Sequence, residues 1–149
     1  TFCLSKGLSC PIGSIISGTK PFIAEARRWR KSIGGGMRQA GVIAAAGIYA
    51  FDNMVDRLEE DHLNAKNLAE GLSVIPEIII DTEHVKTNIV RFELSDKVNS
   101  HEFETELKKE GIFFNSSYGS IRMVTHYGID SKDIDEVINK TAKLVKNLI

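Results

Sequence analysis

Lys6 closes a short apolar run, Phe2-Cys3-Leu4, and opens into Gly7-Leu8-Ser9-Cys10-Pro11-Ile12-Gly13. A primary amine at the mouth of a strand, followed by small and turn-forming residues, is placed to meet a ligand. Apolar neighbours that strip water from it would sharpen its nucleophilicity, and an amine so prepared can hold an aldehyde cofactor as a Schiff base. A strand-end charge reaching water is the other reading of a single lysine in that setting.

Two further features could do chemistry. Arg122 lies in Ser-Ile-Arg-Met-Val-Thr-His, where Ile121 and Met123 alternate with it and are expected to face the other way. A planar fork of donors among apolar neighbours suits bidentate grip on a carboxylate, and an edge-strand salt bridge is the alternative. Arg27, Arg28, Arg30 and Lys31 surround Trp29, ahead of Gly34-Gly35-Gly36-Met37-Arg38. Glycines beside a cation let backbone amides approach a phosphate. The same basic run could be a solvated helix face or, interleaved with an aromatic, a nucleic-acid contact.

Three separated segments, FCLSKGLSCPIGSIISG, RRWRKSIGGGMRQAGVIAAAGIYA and SIRMVTH, together resemble the low-specificity threonine aldolases, which belong to the aspartate-aminotransferase-like pyridoxal-phosphate enzymes. The resemblance runs from residue 1 nearly to residue 149, with a small departure at Ser9 and Cys10. It implies that Lys6 carries pyridoxal 5'-phosphate as an internal aldimine and that Arg122 binds the substrate α-carboxylate. It also implies that Lys31 and Arg38 touch the cofactor phosphate or the substrate, in part across a subunit contact. The implied reaction cleaves L-threonine, L-allo-threonine and related β-hydroxy-α-amino acids between Cα and Cβ, giving glycine and an aldehyde. The implied assembly is a dimer or tetramer of identical subunits. Family members carry a long stretch of large domain ahead of this lysine, so the resemblance is to the C-terminal part of such an enzyme, with activity expected only from the longer protein. Another lyase of the same fold, eliminating at Cβ, would share Lys6 and Arg122. A non-catalytic module kept for subunit contact is a rival of another class.

Composition agrees with an ordinary domain. The chain has 149 residues, 42% of them hydrophobic and 26% charged, within the globular range. A net charge of −1 gives no long-range pull toward nucleic acid or anionic membrane, and no apolar run approaches the roughly 20 residues of a membrane span. Cys3 and Cys10 form neither a C-x-x-C pair nor a disulfide framework and read as reduced thiols of a cytoplasmic protein. His62, His84, His101 and His126 lack metal-ligand spacing, so no metal site is expected.

The elements that must position these residues read as α/β. Residues 2–5 and 12–17 read as short buried strands joined through the Lys6 loop. Thr19 caps a helix with Pro21 in its first turn and Phe22, Ile23, Ala26 and Ile33 on one buried face, and the three glycines stop it. An alanine-rich helix runs from Arg38, and past Asp52-Asn53 an amphipathic pattern follows on Met54, Val55, Leu58, Ala65, Leu68 and Leu72. The composition changes near residue 53. Residues 1–53 are expected to be the end of the large pyridoxal-phosphate-binding domain and 54–149 a small C-terminal α+β domain. In the latter, Val90, Phe92 and Leu94 alternate as a half-buried strand, and Asn99 and Glu102 start a helix that Gly111 ends. Strands near 112–115 and 120–125 precede a final helix that buries Ile134, Val137, Ile138, Leu144, Val145 and Leu148.

Overall fold

Two short strands, β1 (Phe2–Cys3) and β2 (Ser14–Ile15), pair antiparallel at the start of the chain, Phe2 opposite Ile15 and Cys3 opposite Ser14. The computed structural model describes residues 1–149, which divide into two units, Thr1–Leu58 and Glu59–Ile149. The division falls a few residues past the composition change at 53.

In the first unit β1 and β2 are followed by α1 (Lys20–Ser32) and α2 (Gly41–Asn53). The strands are shorter than the sequence pattern predicts and are not buried: Phe2, Ile12 and Ile16 are all exposed. A strand is buried on both faces only when neighbouring strands and covering helices exist, and this pair has no third strand. α1 carries Pro21 in its first turn as expected, but the Thr19 side chain makes no cap hydrogen bond. No residue of α1 is buried, and Phe22 and Ile33 remain exposed. The predicted apolar face is present in the sequence, but no element of this unit buries it. Gly34, at φ +88°, breaks the helix. α2 begins at Gly41 and not at Arg38, because Gln39 at φ +52° turns the chain first. A small core gathers beneath the Lys6 loop, where Leu4, Leu8, Cys10 and Ala50 are buried and Ile15, Ala46, Met54 and Leu58 pack on them.

The second unit runs α3 (Leu58–Ser73), β3 (Ile78–Ile79), a 3₁₀ turn at Thr82–His84, β4 (Ile89–Leu94), α4 (Ser100–Lys109), β5 (Asn115–Ser117), β6 (Ser120–Val124) and α5 (Ser131–Asn147). The amphipathic helix begins only at Leu58: Met54 and Val55 lie in the turn between α2 and α3, and Asn53 donates its side-chain amide to Tyr49 O (2.9 Å) at the end of α2. The strands form one antiparallel sheet in the order β3-β4-β6-β5. β5 lies a few residues beyond the predicted 112–115. Tyr118 and Gly119 both take positive φ and turn the chain tightly into β6, which places Ser117 opposite Ser120. β3 has no alternating pattern to announce it, being a run of isoleucines.

The core follows the 3.6-residue and two-residue periods. Ala65, Leu68, Ala69 and Leu72 of α3, Phe103 and Leu107 of α4 and Ile134 and Val145 of α5 close over one face of the sheet, formed by Val90, Phe92, Ile121 and Met123. α4 and α5 are capped as their sequences require. Asn99 accepts from the His101 and Glu102 amides, and Asp130 and Asp133 form a reciprocal capping box. The opposite face of the sheet carries Ile89, Arg91, Glu93, Ser120, Arg122 and Val124, and no helix of this unit covers it. No helix is long and apolar enough to cross a membrane.

Candidate active site

The Lys6 loop is fixed at its base and open at its tip. Leu4 N donates to Gly13 O (2.9 Å), Cys10 N to Leu4 O (3.1 Å) and Ser9 N to Lys6 O (2.8 Å), and Ser9 takes φ +58° to close the turn. Leu4 lies against Gly13 and Gly47, where a Cβ would stand 3.3 and 3.2 Å from its Cδ1. Cys10 Sγ reaches Ala46 O of α2 at 3.4 Å. With Leu4, Leu8 and Cys10 turned toward α2, the intervening Lys6 is left on the exposed side of the loop, and its amine has no hydrogen-bond or ion-pair partner. The desolvation expected from its apolar neighbours is therefore not provided within this chain: those side chains point into the core beneath the loop, away from the amine.

The second cationic group sits where α1 ends. Lys31, in the last turn of α1, folds back over Gly36, whose built Cβ would stand 3.0 Å from Lys31 Nζ. Gly34 N donates to Lys31 O (3.2 Å) and Gly35 N to Arg30 O (2.7 Å), which wraps the glycine loop around the helix end. Arg38 follows, exposed, and neither Arg38 nor Lys31 is ion-paired. Two cations without a carboxylate partner beside a stretch of bare backbone suit a phosphate.

In the second unit, β6 presents Arg122 on the open sheet face. The residue is half-buried, and its Nε is buried with no hydrogen-bond partner. The salt bridge considered as an alternative is not formed in this unit. Ile121 and Met123 face the core as expected. The end of β6 is held by residues that pattern reasoning passed over. Asn88 Nδ2 donates to Thr125 O (2.8 Å), Thr125 N donates to Asn88 O (3.0 Å), and buried Thr125 Oγ1 donates to Asp61 O (2.6 Å). A Thr-Asn pair just before β4 and a threonine just after β6 were the available signal. His126 is exposed, its Nδ1 2.9 Å from Tyr127 O.

A model of the beta-eliminating lyase family matches residues 1–95. The chain belongs to the beta-eliminating lyase family. This member is 42% identical over 137 residues to the low specificity L-threonine aldolase of Escherichia coli K12, a match covering 92% of this chain and 40% of that protein. It is 38% identical over 135 residues to low-specificity L-threonine aldolase 1 of Arabidopsis thaliana, covering 89% and 38%. The chain thus spans well under half the length of these relatives. Among solved structures, a Listeria monocytogenes protein named for L-allo-threonine aldolase activity superposes with a TM-score of 0.73 at 21% identity, over 95% of this chain and 43% of that one. That likeness fixes the fold as α/β of the pyridoxal-phosphate transferase type. Pyridoxal phosphate is the cofactor of this family. The unpartnered Lys6 amine, and the unpaired Lys31 and Arg38 by the glycine loop, are chemically suited to its aldehyde and its phosphate.

Proposed function

We propose that the chain supplies the lysine and the carboxylate-binding arginine of a pyridoxal-phosphate-dependent threonine aldolase, acting within a longer polypeptide or assembly. The observation that carries this reading is the identity with low-specificity threonine aldolases, which extends to 97% of this chain and so takes in the positions of Lys6, Lys31, Arg38 and Arg122. Lys6 is the amine that binds the cofactor aldehyde. Lys31 and Arg38 hold its phosphate or the substrate, and Arg122 binds the α-carboxylate of the amino acid. When bound, the cofactor supplies an electron sink for the pair left on Cα when a bond to it breaks. Arg122 contributes to which bond that is, because anchoring the carboxylate limits how the remaining groups on Cα can be turned. The assembly is a dimer or tetramer acting on small β-hydroxy-α-amino acids in the cytoplasm, with residues 1–53 ending the large domain and 54–149 forming the small one.

A second reading is favoured by the description of the matching family itself: elimination at Cβ. Product analysis of the protein isolated from its source, given threonine and then serine, separates the two. Glycine with an aldehyde is the expected outcome. An α-keto acid with ammonia, and no glycine, would replace aldol cleavage by elimination. In the same protein Arg122→Ala should raise KM by at least tenfold, since removing one partner of a desolvated charge pair costs about 2–5 kcal/mol. An unchanged KM would remove Arg122 from the substrate site.

A further inference from the structure

The open sheet face carries a feature that the family reading does not use. β4 and β6 pair so that Arg91 stands directly opposite Arg122, and β5 places Asn115 on the other side of Arg122. Residues directly opposite in an antiparallel pair share a face, with Cβ atoms about 4.5–5.5 Å apart, and like charges in such a pair are destabilising. Neither arginine is ion-paired, and Arg122 Nε is buried without a partner.

The carboxylates nearby do not relieve this. Asp81 lines the same cavity as Arg91, of about 220 Å³, but its oxygens pair with the Glu83 amide (2.9 Å) and the His84 ring (2.6 Å) and not with Arg91. The His84 hydrogen bond, foremost, holds the Asp81 carboxyl below its usual range. Glu93 belongs to the next row across the sheet, opposite Ile79 and Ser120. Two arginines at one register of neighbouring strands, one with a buried and unused Nε, suit an anion that bridges them.

We propose that Arg91 is a second carboxylate-binding residue, closing with Arg122 on the single α-carboxylate of the amino-acid substrate. This rests on the assignment of Arg122 made above. A carboxylate has two oxygens with about four acceptor sites, enough for two forks at once. Held from both sides, it would be fixed in rotation as well as position, and Asn115 would extend the donor row.

The test is a titration of the full chain with acetate at constant ionic strength, followed by the side-chain Nε–Hε signals of the two arginines in nitrogen-15 NMR. In the wild-type chain both signals should move along one saturation curve. Arg91→Gln, a change at an exposed position whose folding the backbone amide spectrum verifies, should weaken acetate binding read at Arg122 at least tenfold. Arg91→Lys, which keeps the charge and loses the fork, should fall between the two. Unchanged affinity at Arg122 in Arg91→Gln would overturn the proposal and leave the role of Arg122 standing. Unchanged acetate binding at Arg91 in Arg122→Gln would overturn both.

Discussion

Lys31 lies folded back over Gly36, with its Nζ only 3.0 Å from where a Cβ at residue 36 would stand and its Cδ closer still. A Cβ there would meet the flexible end of the Lys31 side chain before any backbone, and Gly36 is not among the residues with positive φ, so a larger residue would act by moving the lysine. The fold-back is how a cation in the last turn of α1 reaches the loop that leads to Arg38.

A methyl group at residue 36 should displace Lys31 from the loop. Gly36→Ala and Lys31→Ala are both expected to weaken cofactor affinity at least tenfold, about 1.4 kcal/mol, in the protein isolated from its source. The double variant should be little worse than Lys31→Ala alone, because both changes remove the same contact. Equilibrium dialysis against pyridoxal phosphate measures this, and additive losses would show that Gly36 acts apart from Lys31.

Thr125 ties the end of β6 to α3 through its hydroxyl, 2.6 Å from Asp61 O. Thr125→Val keeps the branched shape and removes the donor. The expected loss is about 1 kcal/mol of unfolding free energy, the usual net value of one such bond, read as a lower urea midpoint at unchanged slope. A midpoint equal to that of the wild type would show that the hydroxyl contributes nothing to the junction.

Lys140 joins α5 to the end of α4, with Nζ 2.7 Å from Glu136 Oε1, 3.2 Å from Glu110 Oε2 and 3.0 Å from Glu110 O. Glu136 foremost, then Glu110, hold its ammonium above the ordinary lysine value of 10.5. A group whose pKa rises on folding stabilises the fold fully below its unfolded value and ceases to do so as pH climbs through the folded one. The stability difference between wild type and Lys140→Met should therefore be constant from neutral pH up to about the ordinary lysine value and shrink above it. Urea unfolding at a series of alkaline pH values checks this, and a difference that grows with alkalinity would contradict the assignment.

Much of the second unit was legible because its signals are local. Alternation at Val90, Phe92 and Leu94 gave β4, and Asn99 and Gly111 bracketed α4. The first unit was less so. Phe22, Ile23 and Ile33 read as a buried face, but burial depends on what lies opposite, and here Ser14 and Ile16 only line a cavity with Ile23 and Ile33 without burying them. The Lys6 loop was legible as a site because its residue types depart from a plain strand connection. Arg91 was not, since nothing in Ile89–Leu94 distinguishes its charge from a solvated position until the register with β6 sets it against Arg122.

The central claim is that Lys6 is the amine that holds the cofactor. The most direct measurement is borohydride reduction of the protein isolated from its source, followed by proteolysis and mass mapping of its peptides. One pyridoxyl group on the peptide containing Lys6, absent from the Lys6→Ala variant, is the predicted result. A pyridoxyl group on another lysine, with the Lys6 peptide unmodified, would contradict it.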